Sequence, residues 1–136
     1  MKTLKLCVLI LLTSIFSNCN DIEDSVEETL IVWNLKNISG GFLGVSEDFE
    51  SGLITWGFSD NGVLTIAVED SEENRYTDLA SGTYDYFIEE IDSVSYLFIN
   101  NNEYGSFTVL DNELVIDGND MSLGSGSDFF VLQFER

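Results

Sequence analysis

The chain contains no histidine and no proline, and only five of its 136 residues are lysine or arginine. Without histidine it has no catalytic triad of the serine–histidine–aspartate kind, no metal–imidazole site and few acid–base groups that titrate near neutral pH. Aspartate and glutamate number 25, so the formal net charge is −20. Because a field of this sign repels phosphate backbones, we expect no nucleic-acid partner.

Other marks of an enzyme are also missing. The sequence has no Gly-rich phosphate loop, and in so acidic a chain the many carboxylates do not define a catalytic pair at a fixed separation. The acidic stretches 69–73 and 117–120 offer oxygen ligands of the type calcium prefers, but neither has EF-hand spacing. We therefore expect no enzymatic activity, no cofactor and no metal site, and we interpret both stretches as solvated charge.

Positive charge and a long apolar run occur together at the start of the chain. Lys2 and Lys5 are followed by the run Leu6–Phe16, which is broken only by Thr13 and Ser14. A helix needs about 20 apolar residues to span a bilayer, so this run is too short, but it suits the hydrophobic region of an export signal. Residues 1–18 are therefore predicted to be a cleaved signal peptide. The alternative, a buried core helix, lacks an amphipathic pattern.

The segment Phe16-Ser17-Asn18-Cys19 resembles the lipobox of bacterial lipoproteins, in which the signal is cleaved before a cysteine that carries a diacylglycerol. A strict lipobox has Leu in place of Phe16 and Gly or Ala in place of Asn18. Cys7 would leave with the signal, so the exported chain would keep a single cysteine and no internal disulfide. We expect lipidation of Cys19 and attachment to a bilayer through two or three acyl chains. The alternative is an ordinary secretory signal cut near Ser17.

Residues 19–28 are predicted to be the lipidated cysteine and an acidic tether. Five of the nine residues after Cys19 are acidic, so this segment has little to bury and should stay solvated. It resembles the export signal of surface lipoproteins in Bacteroidetes, although a plain hydrophilic spacer fits equally well. The chain after Cys19 has three basic residues and a net charge of −22, which repels anionic lipid. We therefore expect a lipid-anchored protein of the bacterial outer membrane, on its periplasmic or surface face.

Residues 29–136 are predicted to form one all-β domain. Apolar runs with a period of two alternate with loops of Gly, Asn, Asp and Ser. The pattern predicts eight strands: Thr29–Ile38, Leu53–Phe58, Val63–Val68, Gly82–Ile91, Val94–Ile99, Tyr104–Leu110, Glu113–Asp117 and Phe129–Arg136. The connection 39–52 is expected to cross a barrel mouth or to hold one helical turn. Short sequential connections favour an eight-stranded antiparallel up-and-down barrel, with a two-layer sandwich as the alternative.

Six segments of this domain, in order, resemble the lipocalin-like lipoproteins of Bacteroidetes. They are LIVWNLKNISGGFLG, GLITWGFSDNGVLTI, SGTYDYFI, SYLFI, YGSFTVLDNELVID and FFVLQFER. The resemblance implies a lipocalin-like barrel that binds a small apolar or amphipathic molecule. Lipocalins typically have Gly-x-Trp in the first strand and a late Arg packed over that Trp. Trp33 and Arg136 match this pair, which implies a structural contact that closes the barrel, whereas Ile31 occupies the glycine position.

Large side chains dominate the predicted interior. An eight-stranded barrel is just wide enough to be filled by its own side chains or to hold one small ligand. The candidate ligand-binding residues are Trp33, Trp56, Phe58, Tyr84, Tyr86, Phe130 and Phe134. Tyr84 and Tyr86 are placed nearest the ligand, because a buried hydroxyl needs a hydrogen-bond partner. The alternative function is a filled barrel that serves as a structural or protein-interaction module of the envelope, with a partner that the sequence does not identify.

Overall fold

The structure is a computed structural model, and it describes residues 28–69 and 79–136. The predicted signal peptide, the lipidation site at Cys19 and nearly all of the tether lie outside the described residues. Within the described ranges, no helix has the length and apolar character needed to cross a membrane.

The described residues form eleven β-strands. These are β1 (Leu30–Gly40), β2 (Val45–Asp48), β3 (Ile54–Ser59), β4 (Val63–Val68), β5 (Gly82–Ile91), β6 (Val94–Ile99), β7 (Asn102–Leu110), β8 (Glu113–Asp117), β9 (Asp120–Met121), β10 (Gly124–Ser125) and β11 (Phe130–Glu135). Eight of them, β1, β3 to β8 and β11, pair antiparallel in chain order, and β11 returns to pair with β1. The predicted eight-stranded antiparallel up-and-down barrel is confirmed, and the sandwich alternative is wrong.

The alternation of apolar and polar residues places the core inside the closed sheet. In β4, for example, Leu64 and Ile66 are buried whereas Thr65 between them is exposed. Fourteen buried apolar residues form one cluster: Trp33, Leu35, Ile38, Ile54, Trp56, Phe58, Leu64, Ile66, Leu97, Ile99, Leu114, Ile116, Leu132 and Phe134. Burying each side chain of this size contributes about 1.5 to 3 kcal/mol, so the interior holds the barrel together.

The connection 39–52 differs from the prediction. The chain turns at Gly40–Gly44 and returns as β2, which pairs with the second half of β1, while β3 pairs with the first half. Gly40, Gly41 and Gly44 all have positive φ, which permits this tight reversal. The expected helical turn is wrong, because the short, largely polar strand Val45–Asp48 gives too few apolar residues to reveal a period of two.

The barrel has two distinct ends. At the mouth end lie the β1–β2 turn, residues 79–81 before β5, the β6–β7 turn and the connection 118–129 between β8 and β11. At the tether end lie the start of β1, the turns β3–β4, β5–β6 and β7–β8, and Arg136. The β5–β6 and β6–β7 turns each have two residues with positive φ, as expected of tight hairpin turns. The described chain therefore enters the barrel at Leu30, at the end opposite to the mouth.

Strand β7 contains a β-bulge next to the mouth. Leu97 pairs with Gly105 but Phe98 pairs with Glu103, so the register shifts at Tyr104. The shift places Tyr104 and Gly105 together on the inner side of the sheet. A Cβ atom on Gly105 would lie 2.3 Å from the carbonyl oxygen of Asp117 on β8, and Gly105 has a φ of +144°. Only glycine fits this close approach of two backbones.

We expect Gly105→Ala to destabilise the protein much more than Gly124→Ala. Both glycines have a similar positive φ, but nothing lies within 4 Å of a Cβ on Gly124. Backbone strain is therefore common to both variants. The clash with Asp117 should lower the free energy of unfolding of Gly105→Ala by roughly a further 1 to 3 kcal/mol. Urea unfolding of both variants measures the difference. Equal losses would show that the approach of β7 to β8 is not tightly packed.

Candidate functional site

A pocket of about 500 Å³ opens at the mouth end of the barrel. We call it the mouth pocket. Its lining residues are Leu79, Ile99, Asn100, Asn102, Glu103, Tyr104, Gly118, Met121, Asp128, Phe129, Phe130 and Leu132. Apolar side chains make most of its inner wall, and two amides and two carboxylates lie among the polar residues. A volume of this size and an apolar wall with a few polar groups are typical of small-molecule sites.

The inner wall of the mouth pocket is the top of the barrel core. Ile99 and Leu132 are 4% and 2% exposed and belong to the buried cluster. Leu79, Tyr104 and Phe130 pack against that cluster and are partly buried. The bulge in β7 brings Tyr104 into this wall, where its ring centroid lies 5.9 Å from that of Trp56. A molecule in the pocket would therefore contact side chains that are rigidly packed from below.

The connection between β8 and β11 is held in place by hydrogen bonds. Asn119 Nδ2 donates to the Phe129 carbonyl at 3.0 Å, and the Phe129 N–H donates to Asn119 Oδ1 at 2.9 Å. The Gly118 N–H donates to the Phe130 carbonyl at 3.0 Å. On the other side, the Gly41 N–H donates to the Phe129 carbonyl at 3.0 Å. These bonds fix the backbone that presents Phe129 and Phe130 to the pocket.

One carboxylate of the mouth pocket is oriented by the β9–β10 ribbon. Ser122 donates to Glu103 through its N–H to Oε1 and through its hydroxyl to Oε2, the latter at 2.8 Å. Next to this ribbon, Tyr96 on the outer side of β6 is buried. Burial raises the pKa of the Tyr96 hydroxyl, and the carboxylates of Asp120, Glu103 and Asp92 raise that pKa further. Burial is the larger cause of this shift, and the three carboxylates add to it.

The middle of the barrel is filled by aromatic rings. Trp56 is 0% exposed, and its ring centroid lies 5.2 Å from that of Phe134 and 6.3 Å from that of Phe58. Phe58 also contacts Tyr86 and Phe107 edge to face, at 5.0 and 5.6 Å. We call these rings, together with Tyr104, the aromatic cluster. It occupies the space below the mouth pocket, which Tyr104 separates from Trp56.

Of the seven candidate ligand-binding residues, Phe130 alone lines the mouth pocket. Trp56, Phe58 and Phe134 are buried in the aromatic cluster, and Trp33 lies beneath Arg136. The residues of the pocket that the sequence did not single out include Leu79, Ile99, Asn102, Tyr104 and Leu132. One feature of the sequence indicates the bulge that forms this wall. It is Gly105, a glycine that directly follows Tyr104 inside a strand pattern. A ligand role for the seven residues stays a prediction.

Both candidate tyrosine hydroxyls are used within the chain. The Tyr84 hydroxyl donates to the Ala80 carbonyl at 2.7 Å, and the Tyr86 hydroxyl donates to the Ser59 carbonyl at 2.7 Å. Burial, and then the nearby carboxylate of Asp60, raise the pKa of Tyr86. The Tyr84 bond attaches β5 to the segment just before it, and the Tyr86 bond attaches β5 to the end of β3, across β4.

Arg136 and Trp33 meet at the tether end, with the geometry expected from the sequence. The guanidinium carbon of Arg136 lies 4.5 Å from the centroid of the Trp33 ring. The same side chain donates to the Asp111 carbonyl at 3.3 Å, and the Arg136 N–H donates to the Asn112 carbonyl at 3.1 Å. The last residue of the chain thus covers the buried Trp33 and attaches the end of β11 to the β7–β8 turn.

We expect Arg136→Ala to lower the free energy of unfolding by about 1 kcal/mol, because it removes the cation–π contact. Trp33 should become more exposed to water, which would shift tryptophan emission to longer wavelength. Lys36→Ala is the matched control, because Lys36 forms an exposed ion pair with Glu135 at 3.4 Å, and such pairs contribute little. Urea unfolding followed by fluorescence measures both. Normal stability of Arg136→Ala would show that the contact does not contribute.

No group of three or more potential metal ligands comes together within residues 28–69 and 79–136. Most of the acidic stretch 69–73 lies outside the described residues. No protein-family model matches the chain, and neither the curated proteins nor the solved structures contain a significant match. The candidate site is therefore argued from its own geometry.

Proposed function

We propose that this protein is a lipid-anchored, lipocalin-like lipoprotein of the bacterial cell envelope that binds a small amphipathic molecule in the mouth pocket. The observation that carries the proposal is the pocket of about 500 Å³, with its apolar inner wall and its polar groups. An apolar part of the ligand would pack on Ile99, Phe130 and Leu132, and its polar part would meet Asn100 and Asn102. Such pockets bind by burying apolar area and orient the ligand with a few polar contacts.

The aromatic cluster limits the kind of ligand that fits. Because Trp56, Phe58 and Phe134 fill the middle of the barrel, a ligand can enter only as far as Tyr104 and Leu132. A long acyl chain threaded along the barrel axis would need to displace buried aromatic rings, at a cost of several kcal/mol. The proposed ligand is therefore compact and remains partly exposed at the mouth.

The position of the tether supports this arrangement. β1 starts at the tether end, and its 11 residues run toward the β1–β2 turn beside Phe129 and Phe130. The proposed anchor at Cys19 precedes β1 by a short acidic segment. With this topology the mouth pocket lies at the end of the barrel away from the point of anchoring. The ligand would exchange with the aqueous phase rather than with the anchoring bilayer.

The alternative function, a filled barrel that acts as a structural or protein-interaction module, has two specific observations in its favour. One is the aromatic cluster, which leaves no space in the middle of the barrel. The other is Phe87, which is 43% exposed on the outer wall and stacks on Phe98 with centroids 4.7 Å apart. Small-molecule binding at the mouth distinguishes the two functions.

We expect the neutral dye N-phenyl-1-naphthylamine to bind saturably at one site, with increased fluorescence, because the mouth pocket offers an apolar wall. The chain from Asn20 to Arg136 suits this titration, because it contains every strand of the closed sheet and the whole described core. Phe130→Ala should weaken binding about tenfold, the equivalent of about 1.4 kcal/mol of lost contact. Phe87→Ala makes the same chemical change on the outer wall and is the matched control.

Three results of this titration have distinct meanings. Weaker binding by Phe130→Ala with normal binding by Phe87→Ala would support the mouth pocket as the site. Equal weakening would place the dye elsewhere and count against the proposal. No saturable binding by the unaltered chain would favour the filled structural module.

We expect the full-length chain, produced in a bacterium with a lipoprotein pathway, to incorporate radiolabelled palmitate. Cys19→Ser should abolish the label and release the protein from the membrane fraction, because the acyl chains would supply the membrane attachment. Cys7→Ser, which alters a thiol inside the predicted signal peptide, is the control and should keep the label. Membrane association of Cys19→Ser without label would contradict the proposed anchor.

A further inference from the structure

We propose that the mouth pocket selects amphipathic molecules with a positively charged head group, such as a primary or quaternary amine on a short apolar body. This inference rests on the proposed function, because it names the ligand class of the same pocket. It is carried by the charges that line the pocket and by the positions of the basic side chains.

The charged side chains that line the mouth pocket are all acidic among the described residues 28–69 and 79–136. Glu103 and Asp128 contribute carboxylates, and Asn100 and Asn102 contribute neutral amides. The apolar wall formed by Ile99, Phe130 and Leu132 lies on the barrel side of these groups. A ligand whose apolar body packs on this wall would hold its head group among the carboxylates.

The described basic side chains are engaged elsewhere. Residues 28–69 and 79–136 contain two of them, Lys36 and Arg136. Lys36 pairs with Glu135 on the outer wall, and Arg136 covers Trp33 at the tether end. Neither lines the mouth pocket. The carboxylate head of a fatty acid would therefore meet repulsion from Glu103 and Asp128 with no described cation to offset it.

Glu103 lies at the rim of the mouth pocket, on the outer side of β7 and beside the β9–β10 ribbon. Ser122 donates to both of its oxygens, so the carboxylate is fixed without being neutralised. Each carboxylate oxygen can accept more than one hydrogen bond, so an ammonium group can still approach. The carboxylates of Glu103 and Asp128 give the pocket a negative potential that acts in the same direction. Low-dielectric walls strengthen this potential relative to open solvent.

The test compares two probes of equal chain length by calorimetry. Hexyltrimethylammonium and heptanoate, which share a hexyl chain short enough for the mouth pocket, are titrated into the chain from Asn20 to Arg136 at low ionic strength. We expect the ammonium compound to bind at least tenfold more tightly than the carboxylate. Added salt should reduce this preference, because the interaction is partly exposed to solvent.

Charge variants separate the local site from the overall acidity of the chain. Glu103→Gln combined with Asp128→Asn should bring the preference close to onefold. Asp128→Asn alone should lower the preference for the ammonium probe in part. This single variant keeps the test informative if Glu103→Gln disturbs the β9–β10 ribbon at Ser122. Asp111→Asn combined with Glu113→Gln removes two charges near the β7–β8 turn, at the tether end, and should leave the preference unchanged.

Every other outcome of these titrations contradicts the inference, and each contradicts a different part of it. Equal binding of both probes, or tighter binding of heptanoate, refutes cation selectivity, and the proposed function survives if the neutral dye still binds. A preference that persists in Glu103→Gln with Asp128→Asn refutes the assigned residues. Failure of both probes while the neutral dye binds refutes this inference alone, and failure of all three refutes the proposed function as well.

Discussion

The width of an eight-stranded barrel is the constraint on which the rest of this structure depends. Eight strands enclose an interior that side chains can fill completely. Here Trp56 lies at the centre and contacts Phe58, Tyr104 and Phe134, so the middle has no room for a ligand. Open volume remains where the strands diverge into loops at the mouth. The same packing that stabilises the barrel therefore decides where a molecule can bind and how deeply it can enter.

The bulge at Tyr104 connects this core to the proposed site. By shifting the register between Leu97 and Phe98, it brings Tyr104 to the inner side, where the ring contacts Trp56 and also lines the mouth pocket. Gly105 makes the bulge possible because β8 comes too close for any Cβ atom. A change at Gly105 would therefore alter both stability and the shape of the pocket, although the residue itself would not contact a ligand.

The sequence was sufficient to predict the eight strands of the barrel, but not β2, β9, β10 or the site. Alternating residues such as Leu64, Thr65 and Ile66, with turn residues such as Asn100 and Asn101, are local signals, and each predicted strand lies within two residues of an observed one. The mouth pocket depends instead on which loops share one end of the barrel and on a register shift, and both are set by long-range pairing. The tyrosine hydroxyls illustrate the difference, because their partners are backbone carbonyls of Ala80 and Ser59 rather than a ligand.

The distribution of polarity explains why a charged ligand would stay at the mouth. Moving an ionised group into the aromatic cluster would cost far more than the apolar contacts there could return, because the described side chains that pack around Trp56 are predominantly apolar. The only buried side-chain donor without a partner among the described residues is Trp56 Nε1, which could not compensate a cation. At the mouth, by contrast, water still reaches the carboxylates of Glu103 and Asp128, so a head group can keep part of its hydration. Apolar packing below and partial solvation above thus define a ligand with a short body and an exposed charge.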